Sequence, residues 1–187
     1  MNKVVPVKLD RKDLTFAQQV KKLSGADFDC CYQCMTCSAG CPAAFNMDIL
    51  PHQLIRKIQN GSKEEVLRSN AIWHCASCET CVTRCPNEIN IPSIMDTLRQ
   101  MTLQTGTPTG DQATPLFHEA FVESIRQWGK VYELGMILDF KSKTMDLFSD
   151  IGLGIKMLLK GKFSLFPGRK SGKKEIQVIF RKIREKN

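Results

Sequence analysis

No run of apolar residues in this 187-residue chain is long enough to cross a bilayer. A helical span needs about 20, and the most apolar late stretch, Ile151 to Leu159, is short and broken by Gly152, Gly154 and Lys156. The start, Met1-Asn2-Lys3-Val4-Val5-Pro6, lacks the apolar core of a secretory signal, so a cytoplasmic setting is expected. There is no P-loop and no complete G-x-G-x-x-G, since Gly152-Leu153-Gly154 is an isolated pair, which argues against a bound nucleotide or flavin. Histidine is scarce, three in all, and no nucleophile, base and orienting residue come together along the chain. Strand-like alternation is equally rare, so a mainly α fold is expected.

Cysteine is what the chain has in excess, nine of them. Eight fall into two copies of one run: Cys31, Cys34, Cys37 and Cys41 before Pro42, then Cys75, Cys78, Cys81 and Cys85 before Pro86. Each copy has the bacterial ferredoxin spacing for a [4Fe–4S] cluster. Three thiolates on one tight loop reach three irons of a cube, and in two-cluster proteins the fourth ligates the other cluster. On that rule Cys31, Cys34 and Cys37 share one cluster with Cys85, and Cys75, Cys78 and Cys81 share the second with Cys41. Both runs are complete, so two [4Fe–4S] clusters are the expected cofactors and electron transfer the expected function. A disulfide framework fits neither the odd count nor the missing leader. Two four-cysteine zinc sites, making the chain a zinc-stabilised interaction module, stay open as the alternative, although structural zinc usually draws separated C-x2-C pairs. Cys30 lies outside the register of the run and is read as a bystander.

The two runs belong to an internal repeat with an offset of 44 residues, the distance from Cys31 to Cys75. The match continues from Cys41-Pro42 through Asn46 and from Cys85-Pro86 through Asn90. Asn46 or Asp48 in the first copy, and Asn90 followed by Pro92 in the second, are candidate helix starts. Ile49, Leu50, Leu54, Ile55 and Ile58 recur at helical spacing up to Asn60-Gly61, as do Ile94, Met95, Leu98, Met101 and Leu103 up to Thr105-Gly106. Ser62-x-x-Glu65 predicts a capping box opening a short helix toward Trp73, and Thr15-x-x-Gln18 another, ahead of a stripe of Leu14, Ala17, Val20 and Leu23. The predicted organisation is an N-terminal arm and helix over 1–25, a dicluster α-helical ferredoxin domain over 26–105 and a helical C-terminal extension over 106–187, with Thr102 to Ala113 as the hinge. In the extension, Leu116, Phe117, Ala120, Phe121, Ile125 and Trp128 mark one helix and Met145 to Leu159 another.

The formal charge is +8 and the pI about 9.1. A [4Fe–4S] core of about +2 with four thiolates is about −2, so two clusters bring the total to roughly +4. The remainder gathers near the C-terminus, where Arg169, Lys170, Lys173, Lys174, Arg181, Lys182, Arg184 and Lys186 surround Ile176, Ile179, Phe180 and Ile183. That pattern is a short basic amphipathic helix, suited to an acidic partner subunit or to peripheral contact with a membrane. No nucleic-acid module accompanies the charge, and no nucleic-acid partner is expected. Together with the Met145–Leu159 stripe, this helix is expected to dock subunits. Of the histidines, His74 beside Cys75 either hydrogen-bonds a cluster sulfur or packs on Trp73, while His52 and His118 read as ordinary polar helix positions.

Cys31-Tyr32-Gln33-Cys34-Met35-Thr36-Cys37-Ser38-Ala39-Gly40-Cys41-Pro42 and the stretch from Trp73 to Pro86 resemble the iron–sulfur C subunit of heterodisulfide reductase and its bacterial relatives. The resemblance continues through Phe121 to Leu134 and Lys156 to Lys162; Met35 stands where such sequences often carry Gly, and Cys30 is an addition. It implies a relay: a flavin-containing partner, the A subunit, exchanges electrons with this chain, which passes them to a cysteine-rich partner, the B subunit, where a disulfide is reduced. The chain itself would contribute no substrate site. The ligand pattern alone is shared with iron–sulfur subunits of membrane-linked, quinone-dependent dehydrogenases, the other open reading.

Overall fold

A computed structural model describes residues 14–145, 152, 156–157, 159–161 and 173–185. The chain divides into two compact units, one ending at Asp111 and the other beginning at Gln112. Helices prevail, and there is no strand among the described residues.

The first unit is built around α7 (Ile91–Thr105). Asn90 caps its start: the side-chain oxygen accepts from the Ser93 N–H at 3.0 Å, and Pro92 occupies the first turn, where its missing N–H costs nothing. Gly106 ends it with φ 63°, a left-handed conformation that glycine enters without Cβ strain. Ile94, Met95, Leu98 and Met101 face inward, as the periodicity predicts, whereas Leu103 is 66% exposed. Around α7 pack α1 (Leu14–Ser24), α4 (Lys63–Arg68) and α5 (Ala71–His74), with α3 (Pro51–Gln59) against α1 and α4. Leu54, Ile55, Ile58, Val66, Leu67 and Ile72 complete the core. Each such side chain contributes roughly 1.5–3 kcal/mol on burial.

Several local expectations give way. In α1 the buried residues are Phe16 and Val20, while Leu23 is 65% exposed. The stripe is therefore rotated toward Phe16, an aromatic that the core against α7 accommodates; Thr15 lies within the helix, not ahead of it. Asn46 closes a short 3-10 turn (Ala44–Asn46), and α3 starts only at Pro51. Asp48 caps at a distance instead: its carboxylate accepts from the Ser69 hydroxyl at 2.6 Å and from the N–H groups of Asn70 at 3.1 Å and Ala71 at 3.2 Å, so it satisfies the free donors at the start of α5. The Ser62 box does not form, because Glu65 turns to Lys57. The expected hinge is partly ordered into the unit: Thr102 is buried within α7, the Gly110 N–H donates to Arg68 O at 2.8 Å, and Asp111 meets His74.

In the second unit α8 (Ala113–Trp128) covers the predicted segment, but of the predicted stripe only Ala120 is buried, beside Ser124, while Phe117, Phe121 and Trp128 are exposed. The helix ends at Gly129, with φ 76°. A Cβ there would stand 3.0 Å from the Cα of Lys173, so glycine also permits the close approach of α10 (Lys173–Arg184). Next comes α9 (Glu133–Thr144), a helix that the sequence pattern does not predict because its apolar residues are too evenly spread to mark a face. It packs on α8 through the edge-on Phe117–Phe140 pair, with ring centroids 5.7 Å apart. Lys173 stacks over Trp128 at 5.4 Å. The apolar face predicted for α10 splits, Ile176 and Phe180 being half-buried and Ile179 and Ile183 more than half exposed. Most of the predicted 145–159 helix lies outside the described residues; Met145 itself is 88% exposed.

Candidate metal centres

The two cysteine runs fold alike. In loop 1 the residues between the first three cysteines include Gln33 (φ 62°) and Met35 (φ 63°); in loop 2 their counterparts are Ser77 (φ 49°) and Glu79 (φ 60°). Left-handed backbone at alternate positions curls each loop tightly, and Met35 and Glu79 each precede a one-turn helix, α2 (Thr36–Ala39) and α6 (Thr80–Thr83). The carbonyl of Met35 accepts from the N–H groups of Ser38 and Ala39, and that of Glu79 from Val82 and Thr83. The chain then leaves through Gly40 or Arg84 toward Cys41 or Cys85.

Two hollows result. One is lined by Cys31, Cys34 and Cys37 together with Cys85, above Ile55, Ile89 and Ile91. The other is lined by Cys75, Cys78 and Cys81 together with Cys41, above Met47, Ile91 and Met95. Ile91 lies beneath both, and α2 and α6 touch each other. All eight side chains carry free thiols, and Cys30, exposed, lines neither hollow; its Sγ donates to Asp27 O at 3.2 Å. Among the described residues no three His, Cys, Asp or Glu side chains converge closely enough to hold a single ion. The sulfurs instead surround a volume, as a multi-iron cube with thiolates on its corners requires.

The thiols repeat in chemistry as well. The Thr36 hydroxyl and N–H hold the exposed Cys34 thiol below its ordinary value, and Thr80 does the same for Cys78. Burial pushes Cys37 up, and burial followed by the neighbouring Cys75 pushes Cys81 up to about 11. Metal ligation supplies the positive charge that a buried thiolate otherwise lacks.

Several residues that no sequence motif marks hold these loops. Gln59 Nε2 donates to Phe28 O at 2.8 Å and Asn87 to the carbonyl of Cys30, which fixes loop 1 from α3 and from the segment after Cys85. Arg99 on α7 donates to Ile72 O at 2.6 Å and to Cys75 O, fixing loop 2. His52 lines the loop-1 hollow and is paired with Ser38, their Nδ1 and Oγ 2.7 Å apart. It is therefore not the ordinary helix position expected. His74 faces Asp111 at 3.1 Å, not a sulfur. Comparison of the copies offered one signal, since Val82 and Asp96 stand where the first has Ser38 and His52.

Residues 27–89 match the family described as 4Fe-4S dicluster domain. This segment is a dicluster domain. Its cofactors are two [4Fe–4S] clusters, and the four-cysteine hollows with aliphatic floors suit them. Over 94 residues the chain is 31% identical to the C subunit of the H(2):CoB-CoM heterodisulfide,ferredoxin reductase of Methanothermobacter thermautotrophicus, an alignment covering 50% of this chain and 51% of that one. Over 108 residues it is 35% identical to the iron-sulfur C 2 subunit of the CoB--CoM heterodisulfide reductase of Methanocaldococcus jannaschii, covering 54% and 58%. Over 81 residues it is 36% identical to the C2 subunit of the H(2)/formate:CoB-CoM heterodisulfide,ferredoxin reductase of Methanococcus maripaludis, covering 43% and 44%. The chain thus spans about half the length of the curated relatives it matches. The resemblance to the C subunit of heterodisulfide reductase stands. Among the described residues no helix is long and apolar enough to cross a membrane.

Proposed function

We propose that the chain is an electron-relay subunit of a heterodisulfide-reductase-type complex, passing electrons between a flavin-bearing iron–sulfur partner and a cysteine-rich partner that reduces a disulfide. The observation that carries this reading is the pair of four-cysteine hollows floored by one shared residue, Ile91. Cys31, Cys34, Cys37 and Cys85 are the ligand set of one cluster, and Cys75, Cys78, Cys81 and Cys41 that of the other. Each cluster, when bound, takes up and releases one electron. The chain's own work is to hold the two sites close, keep their floors dry and exchange the fourth ligand between the loops. Reduction of one disulfide to two thiols takes two electrons and two protons, so a relay of single electrons serves it twice per turnover. Nine unbridged thiols suit a reducing, cytoplasmic setting.

Protein purified without oxygen is expected to be brown and to carry about eight irons with matching acid-labile sulfide. Two zinc ions and no sulfide would replace this reading with the zinc-stabilised module. Truncation before Lys173 tests the partners: the cluster spectra should persist while co-purification with the flavin-bearing or cysteine-rich partner weakens. Full co-purification with lost binding to anionic vesicles would assign α10 to a membrane surface instead.

A further inference from the structure

We propose that this chain holds its two clusters at different potentials, the loop-1 cluster being the more easily reduced, and that Ser38, positioned by His52, together with Gln33 sets that order. The inference rests on the relay reading and adds a direction to it.

Hydrogen bonds donated to cluster sulfurs stabilise the extra negative charge of the reduced state and raise the potential; nearby negative charge lowers it. In loop 1 the Ser38 Oγ lies 3.9 Å from Cys37 Sγ, accepts from the backbone N–H of His52 at 3.1 Å and stands 2.7 Å from His52 Nδ1. A hydroxyl has one hydrogen to give and two lone pairs to receive. A metal-bound Cys37 thiolate can only accept. With the His52 N–H on one lone pair and an Nδ1–H on the other, the hydroxyl hydrogen is left for the sulfur. His52 is thus a positioning residue when it carries its proton on Nδ1, the tautomer this proposal requires. Gln33 Nε2 adds a second donor, 3.4 Å from Cys31 Sγ.

Loop 2 lacks this arrangement. Val82 replaces Ser38 and Asp96 replaces His52, while the threonine beside the middle cysteine is common to both loops and cancels. One charge points the same way: Glu79 lies between Cys78 and Cys81, where loop 1 has the neutral Met35. Glu88 stands between Cys85 and Ile89, which line the loop-1 hollow, and works against the order. Arg84 lies across Gly40, between the loops, so its charge serves both sites. Arg99, which reaches Cys75 O from α7, is matched by Asp96 at 2.8 Å. Downhill transfer therefore moves one electron from the loop-2 site to the loop-1 site, with no bond made and no proton moved.

The test is a potentiometric titration of the anaerobically purified full chain, read by electron paramagnetic resonance, after iron analysis has verified both clusters. Two one-electron steps are expected. Ser38→Ala and Gln33→Met should each move the upper step to lower potential and leave the lower one in place. His52→Ala should act like Ser38→Ala, and His52→Asn, which keeps a side-chain N–H, should restore much of the shift. Glu79→Gln should raise only the lower step. Ser38 also receives the His52 N–H at the start of α3, so if Ser38→Ala fails to fold, Gln33→Met and Glu79→Gln decide. The order is overturned if these variants leave both steps unmoved, or if loss of a loop-1 donor moves the lower step. A chain that holds no iron would instead sink the relay reading, and the order with it.

Discussion

The side chain of Arg84 lies across the α-carbon of Gly40, and the two are equivalent residues of the repeat. A Cβ on Gly40 would stand 2.6 Å from an Arg84 guanidinium nitrogen and 2.9 Å from its Cδ. Gly40 has φ −97°, so its backbone does not require glycine; the close approach does. Because the obstructing atoms belong to an exposed, flexible side chain, Gly40→Ala should cost no more than about 1 kcal/mol. In an Arg84→Ala background the same change should become neutral or stabilising by about 0.5 kcal/mol, through the lower entropy of the unfolded chain. Melting temperatures of the four proteins, measured without oxygen, give the coupling.

Met35 sits at φ 63°, in the left-handed region that favours glycine. A side chain in that region costs roughly 1–2 kcal/mol, partly offset by the greater freedom glycine has when unfolded. Met35→Gly should retain all the iron and raise the melting temperature modestly. Met35→Val, β-branched at positive φ, should lower both cluster yield and melting temperature.

Asp48 links the segment after loop 1 to the start of α5. Burial opposes its ionised form, but the Ser69 hydroxyl and the N–H groups of Asn70, Ala71 and Ile49 outweigh that and hold the carboxyl below its ordinary value. A depressed carboxyl contributes stability that is fully present above the unfolded value of about 3.9 and is lost as pH falls through the lower folded value. Asp48→Asn should therefore cost about 1–2 kcal/mol, discounted for the carboxylate's open side, and the cost should be flat from pH 7 to 5. Urea unfolding at those pH values checks it; a cost that shrank across this window would assign the stability to another group.

The ligand sets predict a long-range effect of single substitutions. Cys30→Ser should keep about eight irons, whereas Cys41→Ser should damage the cluster held by Cys75, Cys78 and Cys81 and spare the one beside it. Iron content and the number of reducible species distinguish the two. Loss of a cluster from Cys30→Ser, with both kept in Cys31→Ser, would move the register by one residue.

What was legible in the sequence was local. A C-x2-C-x2-C run must curl, and a capping Asn90 followed by Pro92 must start a helix, because each involves neighbours within one or two turns. The cap that Asp48 supplies is not legible because its partners lie 21 to 23 residues ahead, nor is the role of His52, whose partner Ser38 is 14 residues behind. The phase of α1 is not legible because Leu23 fits the stripe arithmetically, yet Phe16 and Val20 are the residues fully buried and Leu23 is exposed. In α9 the apolar residues Met136, Ile137, Leu138 and Phe140 follow one another too closely for a period to emerge.

The clasp between Asn87 and the carbonyl of Cys30, 57 residues apart, has a consequence in time. A chain emerging from the ribosome presents loop 1 long before it presents the residues that complete that loop's walls. Cys85 arrives 54 residues after Cys31, and Asn87 two later. Until then the first three thiols face water on an unbraced loop, able to bind stray metal or to oxidise. The two sites are thus finished almost together, near the end of the segment's synthesis, although one of them began first.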